Sequence, residues 1–112
     1  MTIVEAIWQY LKTELNVTVL TEIPASMPTT FVLIDKTGGG ETNFIRRSTI
    51  AIQSWAGSLA EAESLNESVI EAMRGAVAVD MVISCRLNSD YNYTDPTTKK
   101  YRYQSVFDIS HY

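Results

Sequence analysis

A single cysteine, Cys85, excludes an intramolecular disulfide, so the chain is held together by its core alone. That usage fits a reducing compartment. The single histidine, His111, lies one residue from the end of the sequence. Metal sets built on imidazole and thiolate are therefore not offered, and a Ser-His or Cys-His nucleophilic pair is not expected. Basic residues are few: nine against thirteen acidic ones, a net charge of −4. A domain that grips nucleic acid by its phosphates shows a basic face. Here the basic runs are two pairs, Arg46-Arg47 and Lys99-Lys100, which read as solvated strand ends. No apolar run approaches the roughly 18 residues of a membrane helix. The opening MTIVEAIWQYLKTEL carries Glu5 inside its apolar stretch and has neither a basic lead nor a small-residue cleavage site. The expectation is a soluble protein made in the cytoplasm, with no membrane contact. No repeat, low-complexity tract or long linker divides the 112 residues, which fit one domain, 1–112.

What is present is a clear succession of periodic segments. Thr2 and Glu5 form a T-x-x-E capping box, and Ile3, Ile7, Trp8, Leu11 and Leu15 follow at helical spacing. A brief β-prone run, Val17 to Leu20, comes next, and Pro24 and Pro28 bracket a turn. The stretch TTFVLID, Thr29 to Asp35, is rich in β-branched and aromatic residues and predicts a strand. After a glycine-rich segment, RSTIAIQSWA alternates. Ser48, Ile50, Ile52 and Ser54 share one face, and Arg47, Thr49, Ala51, Gln53 and Trp55 share the other. Gly57 ends that strand. Ser58 and Glu61 form a second capping box, and Leu59, Ala62, Leu65, Val69, Ala72 and Met73 line one stripe of a helix. Gly75 is its expected stop, in the left-handed conformation that glycine tolerates at a helix end. The remainder predicts a long hairpin turned by DPTTKK. Met81, Ile83, Cys85 and Leu87 lie on one face of its first strand, and Tyr101, Tyr103, Phe107 and Ile109 on one face of its second. The fold class expected is α+β: two layers, a mainly antiparallel sheet of four to five strands, and two helices packed on one face. The other face is half polar, with Arg47, Gln53, Arg102 and Gln104.

The segment DKTGGGETNFIRR poses the functional question. A phosphate loop needs two glycines four residues apart, then Lys-Ser or Lys-Thr opening a helix. Lys36 precedes the glycines instead, and strand follows Glu41. A dinucleotide fingerprint needs a helix whose N-terminal amides face the pyrophosphate, and none opens there. No carboxylate pair or acidic spacing marks out a metal or acid-base site; Asp95-Pro96 reads as turn initiation. Cys85 reads as a small buried hydrophobe on a strand. No cofactor and no catalytic residue is expected. Trp55 either covers a strand end or meets a partner chain. The features left over are a long mobile loop, a tyrosine-rich hairpin (Tyr91, Tyr93, Tyr101, Tyr103) and a half-polar sheet face, which suit contacts between chains.

Three phrases carry a family resemblance: FVLIDKTGGGE, TIAIQSWAGSLAEAESLNESVIEAM and YRYQSVFDIS. From Thr29 onward the chain resembles the small tail-terminator, or tail-completion, proteins of long-tailed bacteriophages. In that family a strand ends in a Gly-Gly loop. A following strand ends in a Gln-x-Trp-Ala-like phrase and enters a helix beginning Ser-x-x-Glu-Ala, and a late strand containing Arg-Tyr-Gln closes the sheet. The resemblance implies a structural virion protein, not an enzyme. It would form a ring oligomer, a hexamer, that caps the tail tube at its head-proximal end, contacting the major tail tube protein and the head-tail connector proteins. Viral DNA would pass through the lumen without specific binding, past a weakly repelling acidic wall. Carried over, the arm from Lys36 through Gly38, Gly39, Gly40 and Glu41 to Arg46 would reach a neighbouring subunit or ring, its glycines supplying backbone angles closed to other residues. Arg47, Trp55, Tyr91, Tyr93, Lys99 and Lys100 are the other candidate contact residues. The alternatives are a head-tail connector or stopper and, from a different class, a small enzyme or ligand-binding domain using the polar sheet face as a cleft.

Overall fold

The computed structural model describes all residues, Met1–Tyr112. The first helix, α1 (Ile3–Glu14), starts where the capping box says it should. Thr2 Oγ1 accepts from the Glu5 amide at 3.1 Å, and the Thr2 amide donates back to Glu5 Oε1 at 3.0 Å. The Thr2 amide, and after it the Thr2 hydroxyl, bonded to its carboxylate hold the Glu5 pKa below the ordinary range. Strand β1 (Thr18–Leu20) follows, then β2 (Phe31–Thr42), β3 (Ile45–Ala56), helix α2 (Leu59–Met73), a single 3-10 turn (Ala76–Ala78), β4 (Val82–Asn92) and β5 (Tyr101–His111). The sheet order is β1-β2-β3-β5-β4. Only β1 runs parallel to its neighbour. The α+β class, the five strands and the two helices agree with the sequence pattern.

The alternation in each strand decides which face is dry. Val32 and Ile34 of β2, Ile50 and Ile52 of β3, and Phe107 and Ile109 of β5 meet Ile3, Ile7 and Leu11 of α1 and Val69, Ile70 and Met73 of α2 in one cluster. Both helices therefore cover the same sheet face. The opposite face has a smaller cluster of Phe31, Leu33 and Trp55, with Leu20 and Met27 packed against it.

Several local expectations change. The glycine segment is not a loop. Gly38, Gly39 and Gly40 pair with Thr49, Ser48 and Arg47, after a bulge between Lys36 and Gly38, so β2 and β3 continue as a paired ribbon that β5 flanks as far as Arg46; only Thr42 to Ile45 run beyond the sheet as a two-stranded tip. The turn has only two residues, Asn43 (φ 51°) and Phe44 (φ 66°). That is the double positive-φ geometry of a tight hairpin turn whose twist matches the strands. No glycine has positive φ, so conformational freedom is not what the triplet supplies. The α2 start is half of a capping box: Ser58 Oγ accepts from the Glu61 amide at 3.2 Å, with no bond in return. Gly75 sits at φ −92°, outside the left-handed region. It is required for close approach instead. A Cβ there would lie 2.6 Å from the Tyr10 hydroxyl, which donates to the Ala72 carbonyl at 2.7 Å and ties α1 to α2.

In α2, Leu65 is only half-buried, and Asn66, fully buried, takes the inner position beside Val69 and Met73. In β4, register shifts between Val82 and Ser84 and between Leu87 and Ser89 break the alternation. Val82 is buried, whereas Ile83 and Leu87 are exposed. Bulges and polar side chains on an edge strand discourage uncontrolled edge pairing.

Candidate functional site

The molecule is elongated, 44 Å by 26 Å by 25 Å. The candidate contact residues fall into two groups set by the β3 register. Lys36, Gly38, Gly39, Gly40, Glu41, Arg46 and Arg47 lie on the ribbon, all exposed. Trp55, Tyr91, Tyr93, Lys99 and Lys100 lie towards the other end of β3, where Ala56 pairs with Tyr101 at the β4–β5 turn.

The ribbon shows why small residues sit opposite basic ones. A Cβ on Gly40 would come within 3.4 Å of the Arg47 guanidinium, and one on Gly39 would meet Lys36 Cε at 3.2 Å and the Arg47 carbonyl at 3.1 Å. The glycines thus give room for Lys36 and Arg47 to lie across the ribbon. At the tip, Phe44 is 90% exposed and Ile45 is also exposed. The sequence reading passed over Phe44. The signal was Asn43, a residue tolerant of positive φ, standing between two strand-like runs.

At the other end, Trp55 is 6% exposed. Its ring stacks on Phe31 with centroids 5.2 Å apart, and the Arg102 guanidinium lies 4.7 Å from both the Trp55 and Tyr93 ring centres. Of its two readings, the structure has Trp55 covering its own strand end. A hydrogen-bonded chain then crosses the outer face. Trp55 Nε1 donates to Gln53 Oε1 (3.0 Å), Gln53 Nε2 to Gln104 Oε1 (3.2 Å), and Gln104 Nε2 to the Tyr91 hydroxyl (2.5 Å). Tyr91 and Tyr93 meet edge to face at 5.9 Å. Gln53, Gln104 and Arg102 are thus brought together, and Arg47 lies further along the sheet, opposite Ser110. The β4–β5 turn is shaped by Asp95, whose carboxylate accepts from the Thr97 amide at 2.8 Å. That bond, with further ones from Thr98, lowers its pKa.

Two constellations were not read from the sequence. The first is a shallow polar hollow of about 650 Å³ on the outer face, at the ribbon's base, lined by Arg47, Thr49, Ser84, Arg86, Asp108 and Ser110 among others. Neither Arg47 nor Arg86 has an acidic partner; the molecule's one ion pair is Arg74 with Glu71. The second corrects the expectation about His111. A Ser-His pair does exist: Ser48 Oγ lies 2.8 Å from His111 Nε2, and His111 Nδ1 is 3.0 Å from the Tyr112 carbonyl. The carbonyl can only accept, so Nδ1 carries the proton and Nε2 accepts from the serine hydroxyl. The partners come from the two paired strands β3 and β5, which adjacency in sequence could not reveal. Ser48 is 2% exposed and His111 1%. Sealed in this way, the pair satisfies buried polar atoms and offers no approach to a substrate.

No cluster of three or more His, Cys, Asp or Glu side chains has metal-binding geometry. Burial pushes the Cys85 thiol up to about 11, the behaviour of an inert half-buried thiol. No helix is long and apolar enough to cross a membrane. No protein-family model matches the chain, and no curated protein matches it.

Proposed function

We propose that this protein is a structural component of a long-tailed phage virion, a tail terminator. In this reading, copies form a ring, of six subunits in the resembled family, that caps the tail tube at its head-proximal end and joins it to the head connector. The observation that carries the reading is the β2–β3 ribbon. Every residue from Asp35 to Arg47 is exposed, the Thr42–Ile45 tip runs beyond the last β5 partner, and it presents Phe44 at 90% exposure. An exposed aromatic on a protruding hairpin tip is costly to keep in water and is stabilised by insertion into another chain. The three phrases of the resemblance fall on β2, on β3 with α2, and on β5, which are the ribbon and the scaffold that aims it. A connector or stopper would use the same arm at the neighbouring station.

Growth of purified tail tubes provides the test. Adding the protein should arrest elongation at substoichiometric amounts, and the arrest should be lost when Phe44 is replaced by serine. Tubes that elongate unchanged in its presence would remove the terminator reading.

A further inference from the structure

The charges of this molecule are segregated by layer. Helix α1, helix α2 and its capping Arg74 carry six acids and two bases, which accounts for the whole net charge of −4; the rest of the chain is balanced. Within α2, Glu63, Glu67 and Glu71 stand at i, i+4 and i+8, all exposed. Like charges at that spacing destabilise a helix, and only Glu71 has a basic partner, Arg74. On the uncovered sheet face the register builds two cross-strand rows. One runs Gly40, Arg47, Ser110, Ser84, and the other Gly38, Thr49, Asp108, Arg86. The two arginines stand at opposite ends of a diagonal over a floor of short side chains, and neither has an acidic partner. Asp108 between them is held by Asn88 Nδ2 at 2.9 Å.

The spacings correspond. Arg47 and Arg86 are separated by two inter-strand steps and two residues along the strand, about 12 Å between backbones. Glu63 and Glu71 are eight residues apart on a helix, also about 12 Å. We infer that the acidic row of α2 in one copy seats on the Arg47–Arg86 hollow of a second copy, with Glu63 and Glu71 taking the two guanidiniums. Asp108 repels the middle acid and so confines the carboxylates to the ends of the diagonal, which sets the register. The two patches are different surfaces of the same chain. The contact is therefore heterologous, the kind that closes into a ring when the rotation permits. Layer on layer, it places the helices of one subunit over the open sheet face of the next. This inference rests on the reading of the protein as a self-assembling subunit and names the surfaces that meet.

Two charge-reversed variants test it. Arg47→Glu/Arg86→Glu keeps the acidic row and loses the hollow; Glu63→Lys/Glu71→Lys does the opposite. All four positions are exposed, and circular dichroism checks the fold of each variant. By analytical ultracentrifugation at low salt and millimolar protein, the native chain should self-associate, and added salt should weaken the association. Each variant alone should associate about 100-fold more weakly. Mixed together, the two should regain association in a 1:1 ratio, because the native row of one meets the native hollow of the other and the reversed row meets the reversed hollow. Asp108→Asn should tighten the native association. A native chain that stays monomeric, variants that associate normally, or a mixture that does not regain association would each overturn the contact. The tail reading fails separately: association as described with tubes left uncapped would remove that reading and keep the contact, whereas tubes capped by Arg47→Glu/Arg86→Glu would remove the contact alone.

Discussion

Replacing Gly75 with alanine should destabilise this protein, and the reason is a hydroxyl on another helix. Gly75 has φ −92° and ψ 2°, which alanine adopts. By backbone entropy alone the substitution would stabilise the fold by about 0.4–1 kcal/mol. The added methyl, however, would lie 2.6 Å from the Tyr10 hydroxyl. Tyr10 must swing away, and its 2.7 Å hydrogen bond to Ala72 is lost. The Ala72 carbonyl keeps the Gly75 amide at 3.0 Å, so no acceptor is orphaned and the bond is worth about 0.5–1.5 kcal/mol. Displacing a half-buried ring adds about 1 kcal/mol. The net expectation is a loss of about 1–2 kcal/mol. In a Tyr10→Phe background the clash disappears, because the nearest ring carbon is 3.9 Å from the new methyl. There Gly75→Ala should be neutral or stabilising. Urea unfolding of the four proteins in this cycle measures the coupling. Burial, with Glu14 nearby, raises the Tyr10 pKa, so the hydroxyl stays protonated throughout ordinary buffers. The same Gly75→Ala effect in both backgrounds would refute the close-approach account and return Gly75 to a simple helix-end role.

Four other outcomes are expected. Alanine at Gly38, Gly39 and Gly40 together should leave the chain folded at a cost of about 1 kcal/mol, since none has positive φ and the one tight backbone contact is the new Gly39 methyl at 3.1 Å from the Arg47 carbonyl; it should impair tube capping by displacing Lys36 and Arg47. Leu65→Ala, at the half-buried rim of α2, should cost about 1–2 kcal/mol, whereas Ile7→Ala in the sealed core should cost about 2–5 kcal/mol, both by urea unfolding. Arg102→Ala should redden and quench Trp55 fluorescence as water reaches the ring it covers. The Cys85 thiol is raised to about 11 from an unfolded value near 9.0, so its contribution to stability is fully present below about pH 9 and is lost as pH rises through about 11. Alkylation by iodoacetamide should accordingly be slow at pH 8 and accelerate only in strongly alkaline buffer.

What could be read from the residues was what depends on neighbours in the chain. The Thr2–Glu5 cap, the alternation through Ser48, Ile50, Ile52 and Ser54, and the turn at Asp95-Pro96 are local signals, and each stands as expected. The glycine triplet misled because glycine favours loops by entropy, and only pairing with residues on the next strand turns that segment into ribbon. The β4 bulges shift which side of the strand Val82 and Ile83 present, and bulges follow from pairing with β5. Gly75 was marked correctly as special for a reason that belongs to Tyr10, far away in sequence. The site followed the same rule. Exposed basic residues of the ribbon were identifiable by type. The Arg47–Arg86 hollow and the Ser48–His111 pair exist only once β3, β5 and β4 lie side by side.

The most direct test of the central claim is cryo-electron microscopy of tail tubes incubated with the protein. The account predicts a closed ring of several copies on one end of each tube, with the Phe44 tip of every ribbon buried against a neighbouring copy or the tube protein. Bare tube ends, or copies bound singly with the ribbon tip free in solvent, would contradict it.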